Sequence, residues 1–238
     1  MRSAGTPALD VALASLGPLP EHGALLGIAS EGTPVMLNLR DATPGPLLVV
    51  GDAGSGKTGL LRFTAAALSR THFPTRAQFC VLTTTASEWD ELGQCQHCLG
   101  ILDPRDSTAG DALGWLMDMI YGRTQGRAML LLVDDLTSLM PDALDALSRI
   151  LLEGPAAGLW PLVTVNTYAA LQWLGYLGAF QTRIFGRISE KGAAGMLAPA
   201  PDGGLNNLLA GAQFCLRSQG HWLRFWTGNW LLEDGNGG

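Results

Sequence analysis

The chain has 238 residues, 47% hydrophobic and 15% charged, with a net charge of −6 and a pI near 5.1. General disorder is excluded, because its signature is low hydrophobicity with high net charge, and the length suits one substantial α/β core better than two full domains. A strongly basic nucleic-acid-binding surface is also absent: the 15 basic residues include only two lysines, Lys57 and Lys191.

Residues 1–23 form a Pro/Gly-punctuated extension with a weak helical pattern over 7–16. They show no long uninterrupted apolar run, so no signal peptide is expected and the chain reads as cytoplasmic. A β-hairpin is predicted next, from strands 24–29 and 34–39 joined at Glu31-Gly32. Residues 47–50 form an apolar strand that runs into a glycine-rich loop, and 58–70 read as a helix rich in Ala and Leu. Residues 78–83 are a buried strand and 111–121 a helix. The six apolar residues 128–133 read as a central parallel strand ending in Asp134-Asp135. Helix 141–152 carries Pro141 in its first turn.

Residues 154–182 hold no charged side chain, a length that would span a bilayer. Pro155, Pro161, Asn166 and Gln172 argue instead for a buried strand, 162–165, followed by a mostly buried helix, and no membrane insertion is expected. A strand at 183–188 and a closing pair at 214–216 and 222–226 complete the pattern. Strands alternating with helices imply a mostly parallel sheet flanked by helices. The expected organisation is the extension 1–23, one α/β domain over 24–232 and a flexible tail, 233–238.

The loop Gly51-Asp52-Ala53-Gly54-Ser55-Gly56-Lys57-Thr58 fits G-x-x-x-x-G-K-[ST] between a strand and a helix. Glycines let successive backbone N–H groups turn inward around phosphates. The following helix, starting near Gly59, adds its positive end. Lys57 supplies a point charge to the β- and γ-phosphates, and the Thr58 hydroxyl is placed to ligate Mg²⁺. The predicted ligands are therefore ATP and Mg²⁺. Asp134, at the tip of a neighbouring apolar strand, suits the Mg²⁺ shell, and Asp135 is the candidate general base for the attacking water.

Asn166 ends the next apolar strand, where an amide can sense the γ-phosphate or simply form a turn. Arg183 and Arg187 flank the following strand, as arginine fingers for a neighbouring subunit or as surface ion pairs. Cys95-Gln-His97-Cys98 lacks a second ligand pair, and Trp222, Trp226 and Trp230 have few basic neighbours, which favours packing over base stacking.

The ordered set of blocks resembles the FtsK/SpoIIIE–HerA group of ring-forming motor ATPases. The blocks are residues 26–35, the P-loop, Asp134-Asp135, 156–158, the strand ending at Asn166, 181–189 and 208–214, spanning roughly 24–228. The resemblance implies a RecA-like P-loop NTPase fold, a homo-hexameric ring, ATP hydrolysis and translocation of DNA or, in some relatives, protein. By position it gives Lys57 and Thr58 to phosphate and Mg²⁺, Asp134 to the metal, and Arg183 to the finger. Asn166 stands where the group usually has Gln. Asp135 stands where it commonly has Glu, one methylene longer, and Gln213 replaces a usual Asp. These departures leave open a slow or regulatory ATPase that acts with a partner protein.

Overall fold

The computed structural model describes residues 9–122, 127–198, 203–218 and 221–228. Trp230 and the tail 233–238 lie outside the described residues. Helix α1 (Leu9–Leu16) leads into the hairpin β1 (Gly23–Ala29) and β2 (Pro34–Asn38). Then come β3 (Leu47–Gly51), α2 (Lys57–Thr71), β4 (Ala77–Leu82), the short α3 (Asp90–Gly93), β5 (Cys98–Leu102) and α4 (Ala109–Tyr121). The second half holds β6 (Ala128–Val133), α5 (Pro141–Ala157), β7 (Leu159–Asn166), α6 (Thr167–Gln172), β8 (Thr182–Phe185), α7 (Lys191–Leu197), β9 (Gln213–Ser218) and β10 (His221–Trp226).

All ten strands form one sheet in the order β2-β1-β10-β9-β8-β3-β7-β6-β4-β5. From β8 to β5 neighbouring strands are parallel; from β8 to β2 they are antiparallel. Strands β3 and β6 are apolar at nearly every residue because helices cover both faces. Their alternation divides the core: Leu48, Val50, Leu131 and Val133 pack toward α4 and α5, whereas Leu47, Val49, Leu130 and Leu132 pack toward α2. This is a mixed α/β, RecA-like P-loop fold with helices on both sides of a largely parallel sheet. The N-terminal hairpin and the C-terminal antiparallel pair extend one edge.

Helix α1 joins this core: Leu9 packs on the α2 side of the sheet, Ala12 is buried, and Arg70 holds Asp10 at 2.8 Å. Three expectations need correction. Strand β5 was not anticipated, since Gly100 interrupts its alternation and every one of its residues is only half-buried. Helix α5 runs on to Ala157, through Pro155, and stops where Gly158 adopts φ 91° and its N–H caps Gly154 and Pro155 carbonyls.

The third correction concerns the uncharged stretch. Strand β7 starts at Leu159, ahead of Pro161. Strand β3 begins opposite Leu162, so Pro161 has β6 alone beside it, where a missing donor is tolerated. The helix that follows is short and half-exposed, with Tyr168 68% accessible. Among the described residues no helix is long and apolar enough to cross a membrane.

Candidate functional site

The parallel strands all end on one edge of the sheet, where crevices outside carboxyl ends hold ligands in open α/β folds. Strand β3 delivers Gly51 to that edge. A Cβ on Gly51 would lie 2.5 Å from the Ser55 hydroxyl and 3.3 Å from the Gly186 Cα. Gly54 and Gly56 take φ 72° and 96°, the left-handed region that permits the curl. Gly56 caps α2 and abuts the Gly211 carbonyl, 2.6 Å from where a Cβ would stand. Ser55 is buried inside the curl, its hydroxyl without a hydrogen-bond partner among the described residues.

Lys57 projects from the first turn of α2. Its ammonium donates to the carbonyls of Gly51 (3.0 Å) and Asp52 (2.8 Å) and to Asn166 Oδ1 (2.8 Å). Burial lowers the lysine pKa, against the opposing charges of Asp134, Asp135 and Asp52. The next residue, Thr58, donates its hydroxyl to both oxygens of Asp134, at 2.9 and 3.1 Å. Thr164 and Thr83 add weaker contacts to the same carboxylate at 3.3 and 3.4 Å. Burial raises the Asp134 pKa despite the Thr58 and Thr164 hydrogen bonds, and the nearby Glu88 and Asp135 charges push it the same way.

The structure thus brings Lys57, Thr58, Asp134 and Asn166 together from the tips of β3, β6 and β7. Asp135 is adjacent, but its carboxylate faces elsewhere. Oδ1 accepts from the Thr137 amide (3.1 Å) and hydroxyl (2.8 Å), capping the turn Leu136–Ser138. Its backbone holds φ 76°, ψ 97°, uncommon for a residue with a side chain, and its N–H donates to the Thr164 hydroxyl at 2.8 Å. Arg183 lies outside the cluster. It pairs in register with Leu48, and its guanidinium donates to the carbonyls of Leu197 (3.1 Å) and Leu177 (3.3 Å). Arg187 is exposed at the loop's edge, where its carbonyl accepts from Asp52 N–H at 2.9 Å.

Asp52 does more than the motif asks of it. Its carboxylate accepts from the Thr167 hydroxyl (2.7 Å) and the Ser189 amide (2.8 Å), tying the P-loop to α6 and to the segment after β8. Burial works against ionisation there, yet those hydrogen bonds, with Lys57, hold the pKa below the usual carboxylate value. Sequence reasoning did not find this role, because the position is variable in the motif. Thr83 and Thr164 were also missed; a hydroxyl near the end of an otherwise apolar strand was the available signal. Arg62, one turn beyond Thr58 on α2, sits 3.8 Å from Glu88 beside the same edge.

The donor set fits the expected ligands. A hydroxyl and a carboxylate in contact are hard oxygen donors of the kind Mg²⁺ takes, and a cationic lysine inside a left-handed glycine curl suits phosphate. The cysteine motif behaves differently. His97 is buried and its Nε2 lies 2.9 Å from the His72 carbonyl, while burial pushes the Cys80 thiol up to about 12. Among the described residues no group of three or more His, Cys, Asp or Glu is placed to hold a metal.

The fold is shared with solved ATPase domains from secretion and conjugation systems. The cytoplasmic domain of the type VII secretion ATPase EccC from Thermomonospora curvata superposes with a TM-score of 0.74 at 18% identity, over 98% of this chain and 28% of that one. A structure of EssC ATPases 2 and 3 from Geobacillus thermodenitrificans gives 0.73 at 12% identity, over 98% of this chain and 49% of that one. The pCW3 conjugation coupling protein TcpA, with ATPγS, gives 0.68 at 14%, over 96% and 71%. The chain therefore spans between about a quarter and a half of the secretion ATPases it resembles. No protein-family profile matches the chain. No curated protein matches it either.

Proposed function

We propose that the chain is an ATP-hydrolysing subunit of a ring motor of the FtsK/HerA type, with DNA as the cargo of the first reading. The observation that carries the proposal is the contact of Thr58 with Asp134 beside a Lys57 held at the mouth of the glycine curl. In this reading residues 51–59 surround the triphosphate, Lys57 neutralises its terminal charge, and Thr58 and Asp134 hold Mg²⁺. The metal supplies charge stabilisation at the phosphoryl oxygens. Asn166 positions Lys57 and reports on the phosphates it contacts. Asp135 takes the proton of the attacking water, and Arg183 acts on the triphosphate of a neighbouring subunit, forming the homo-hexamer's shared sites.

A second reading has a specific observation behind it. The Asp135 carboxylate is engaged by Thr137, and its arm is one methylene shorter than the glutamate expected there. A base displaced by about an ångström costs on the order of 100-fold in rate. That favours a slow, regulatory ATPase that changes partner contacts with its nucleotide state. The likeness to secretion ATPases is in keeping with it; one EccC structure holds a signal sequence peptide. ATP turnover measured with and without duplex DNA, beside particle mass with ATP and Mg²⁺, separates the two. DNA-stimulated turnover by a hexamer supports the motor. Slow turnover indifferent to DNA supports the regulator, and no nucleotide binding overturns both.

A further inference from the structure

A second cationic site opens at the opposite end of the sheet. Ala77 and Ala128, the first residues of β4 and β6, and Gly158, just before β7, line a cleft of about 600 Å³. Six-residue strands set it roughly 20 Å from the edge that carries Asp134. Arg40, Arg76 and Arg127 line this cleft with His22 and His72, and among the described residues Glu21 is the only acid in its lining.

The cations are not equally engaged. Arg127 is braced by the Thr75 carbonyl (3.0 Å) and the Gln78 side-chain oxygen (3.3 Å), which accept its hydrogen bonds without neutralising it. Arg76 and His22 both stand 3.7 Å from the Glu21 carboxylate. Arg40 is exposed, and its guanidinium meets no carboxylate among the described residues. Burial lowers the pKa of His72, which favours the neutral ring, and its Nε2 is buried without a hydrogen-bond partner among the described residues.

One structural explanation for these cations is that they screen helix ends. The C-terminal ends of α2 and α5 do open here, at His72 and Gly158. Each such end carries about half a negative charge, and Glu21 adds one more. Three guanidiniums therefore leave about one positive charge uncompensated even with both histidines neutral. That surplus stands on a chain whose net charge is −6.

We infer that this cleft is a second anion site, which binds a phosphate-bearing small molecule through the guanidiniums of Arg40, Arg76 and Arg127. A tetrahedral phosphate offers acceptors in several directions to donors carried on three separate segments, after β2 and before β4 and β6, whereas a carboxylate offers two coplanar oxygens. The volume falls within the range of small-molecule sites, about 300–1,000 Å³. Three arginines on a chain of net charge −6 make no extended basic track, which disfavours a nucleic-acid strand.

The test is calorimetric titration of tripolyphosphate into the full chain carrying Lys57→Ala, which disables the P-loop and makes the result independent of the function proposed above. One tripolyphosphate per chain is expected to bind. Adding Arg40→Gln should weaken it about tenfold, and adding Arg76→Gln as well should weaken it further, with unchanged circular dichroism and Tm. Arg127 stays in place because it braces the fold. Absence of binding, or equal affinity in the arginine variants, overturns the inference. So does displacement by hexaglutamate at equal charge, which makes the cleft a carboxylate site. Tighter competition from a 20-base-pair duplex makes it a nucleic-acid surface, and also overturns it.

Discussion

At the residue scale, Lys57 donates to three acceptors within its own chain, two of them carbonyls of the loop that a triphosphate would occupy. Its charge is what phosphate oxygens would take over from those carbonyls. Lys57→Ala should lower nucleotide affinity or turnover by about 100-fold or more, read by fluorescent-nucleotide binding and phosphate release; wild-type turnover would remove the site from consideration.

Asp134 gives a prediction of opposite sign for stability. Its folded pKa lies above 3.8, so the native state holds the proton more tightly than the unfolded chain does. The charged form is disfavoured on folding at neutral pH, and that penalty is relieved as pH falls through the folded pKa. Asp134→Asn should therefore raise the Tm of the nucleotide-free protein at pH 7. The advantage over wild type should shrink toward pH 4, while Mg²⁺-dependent nucleotide binding is lost. A lower Tm at pH 7 would contradict this account.

Asp135→Asn keeps an Oδ1 to cap Thr137, so the turn should survive. If the carboxylate is the base, turnover should drop by about 10²–10⁴ with ATP affinity kept. Unchanged turnover would leave Asp135 as a cap alone. That Lys57, Thr58 and Asp134 lie together was legible in the sequence, because the glycine-rich pattern between strand and helix and the acid closing an apolar strand are both visible as spacing. The direction of the Asp135 side chain was not legible, since it depends on a local bond to Thr137 and a backbone angle that no spacing encodes.

At the element scale, α2 is set against the loop by glycines of two different kinds. Gly56 has φ 96° and no room, its absent Cβ falling 2.6 Å from a backbone carbonyl that has no flexible end to yield. Gly59 is helical, with open space where a Cβ would be. Gly56→Ala should destabilise by about 1–3 kcal/mol and disturb nucleotide binding. Gly59→Ala should stabilise by about 0.5–1 kcal/mol through helix propensity. Thermal denaturation of the pair checks both; a destabilised Gly59→Ala would mean that the helix start is strained in a way its open space does not reveal.

The same contrast explains which elements the sequence revealed. Strands β3 and β6 are buried on both faces and read as unbroken apolar runs. Strand β5 is half-buried and carries Gly100, and α6 is six residues long, too short for a helical period to register. The extent of α5 was hidden because Pro155 reads as a stop, although its fixed φ suits a final helical turn that Gly158 then closes.

At the scale of the whole molecule, the P-loop edge and the basic cleft lie at opposite ends of the sheet, and Arg183 belongs to neither. Within one chain its guanidinium bridges the carbonyls of Leu177 and Leu197, which joins the turn before β8 to the end of α7. A finger role requires those bonds to open when a neighbouring subunit presents its triphosphate. Two outcomes of Arg183→Ala are therefore distinguishable. As a finger, its loss should slow hydrolysis by about 10³-fold with little change in ATP affinity. As a bracket, its loss should lower Tm and leave the rate of the folded fraction intact. Mixing decides between them. Lys57→Ala subunits retain Arg183, and Arg183→Ala subunits retain the P-loop, so a ring built from both should regain part of the missing turnover at interfaces that combine the intact halves. Mixed rings that form, by mass, and regain nothing would assign Arg183 to the bracket. A chain that stays monomeric with ATP and Mg²⁺ at every concentration would remove the ring, and with it the motor, leaving the regulatory reading.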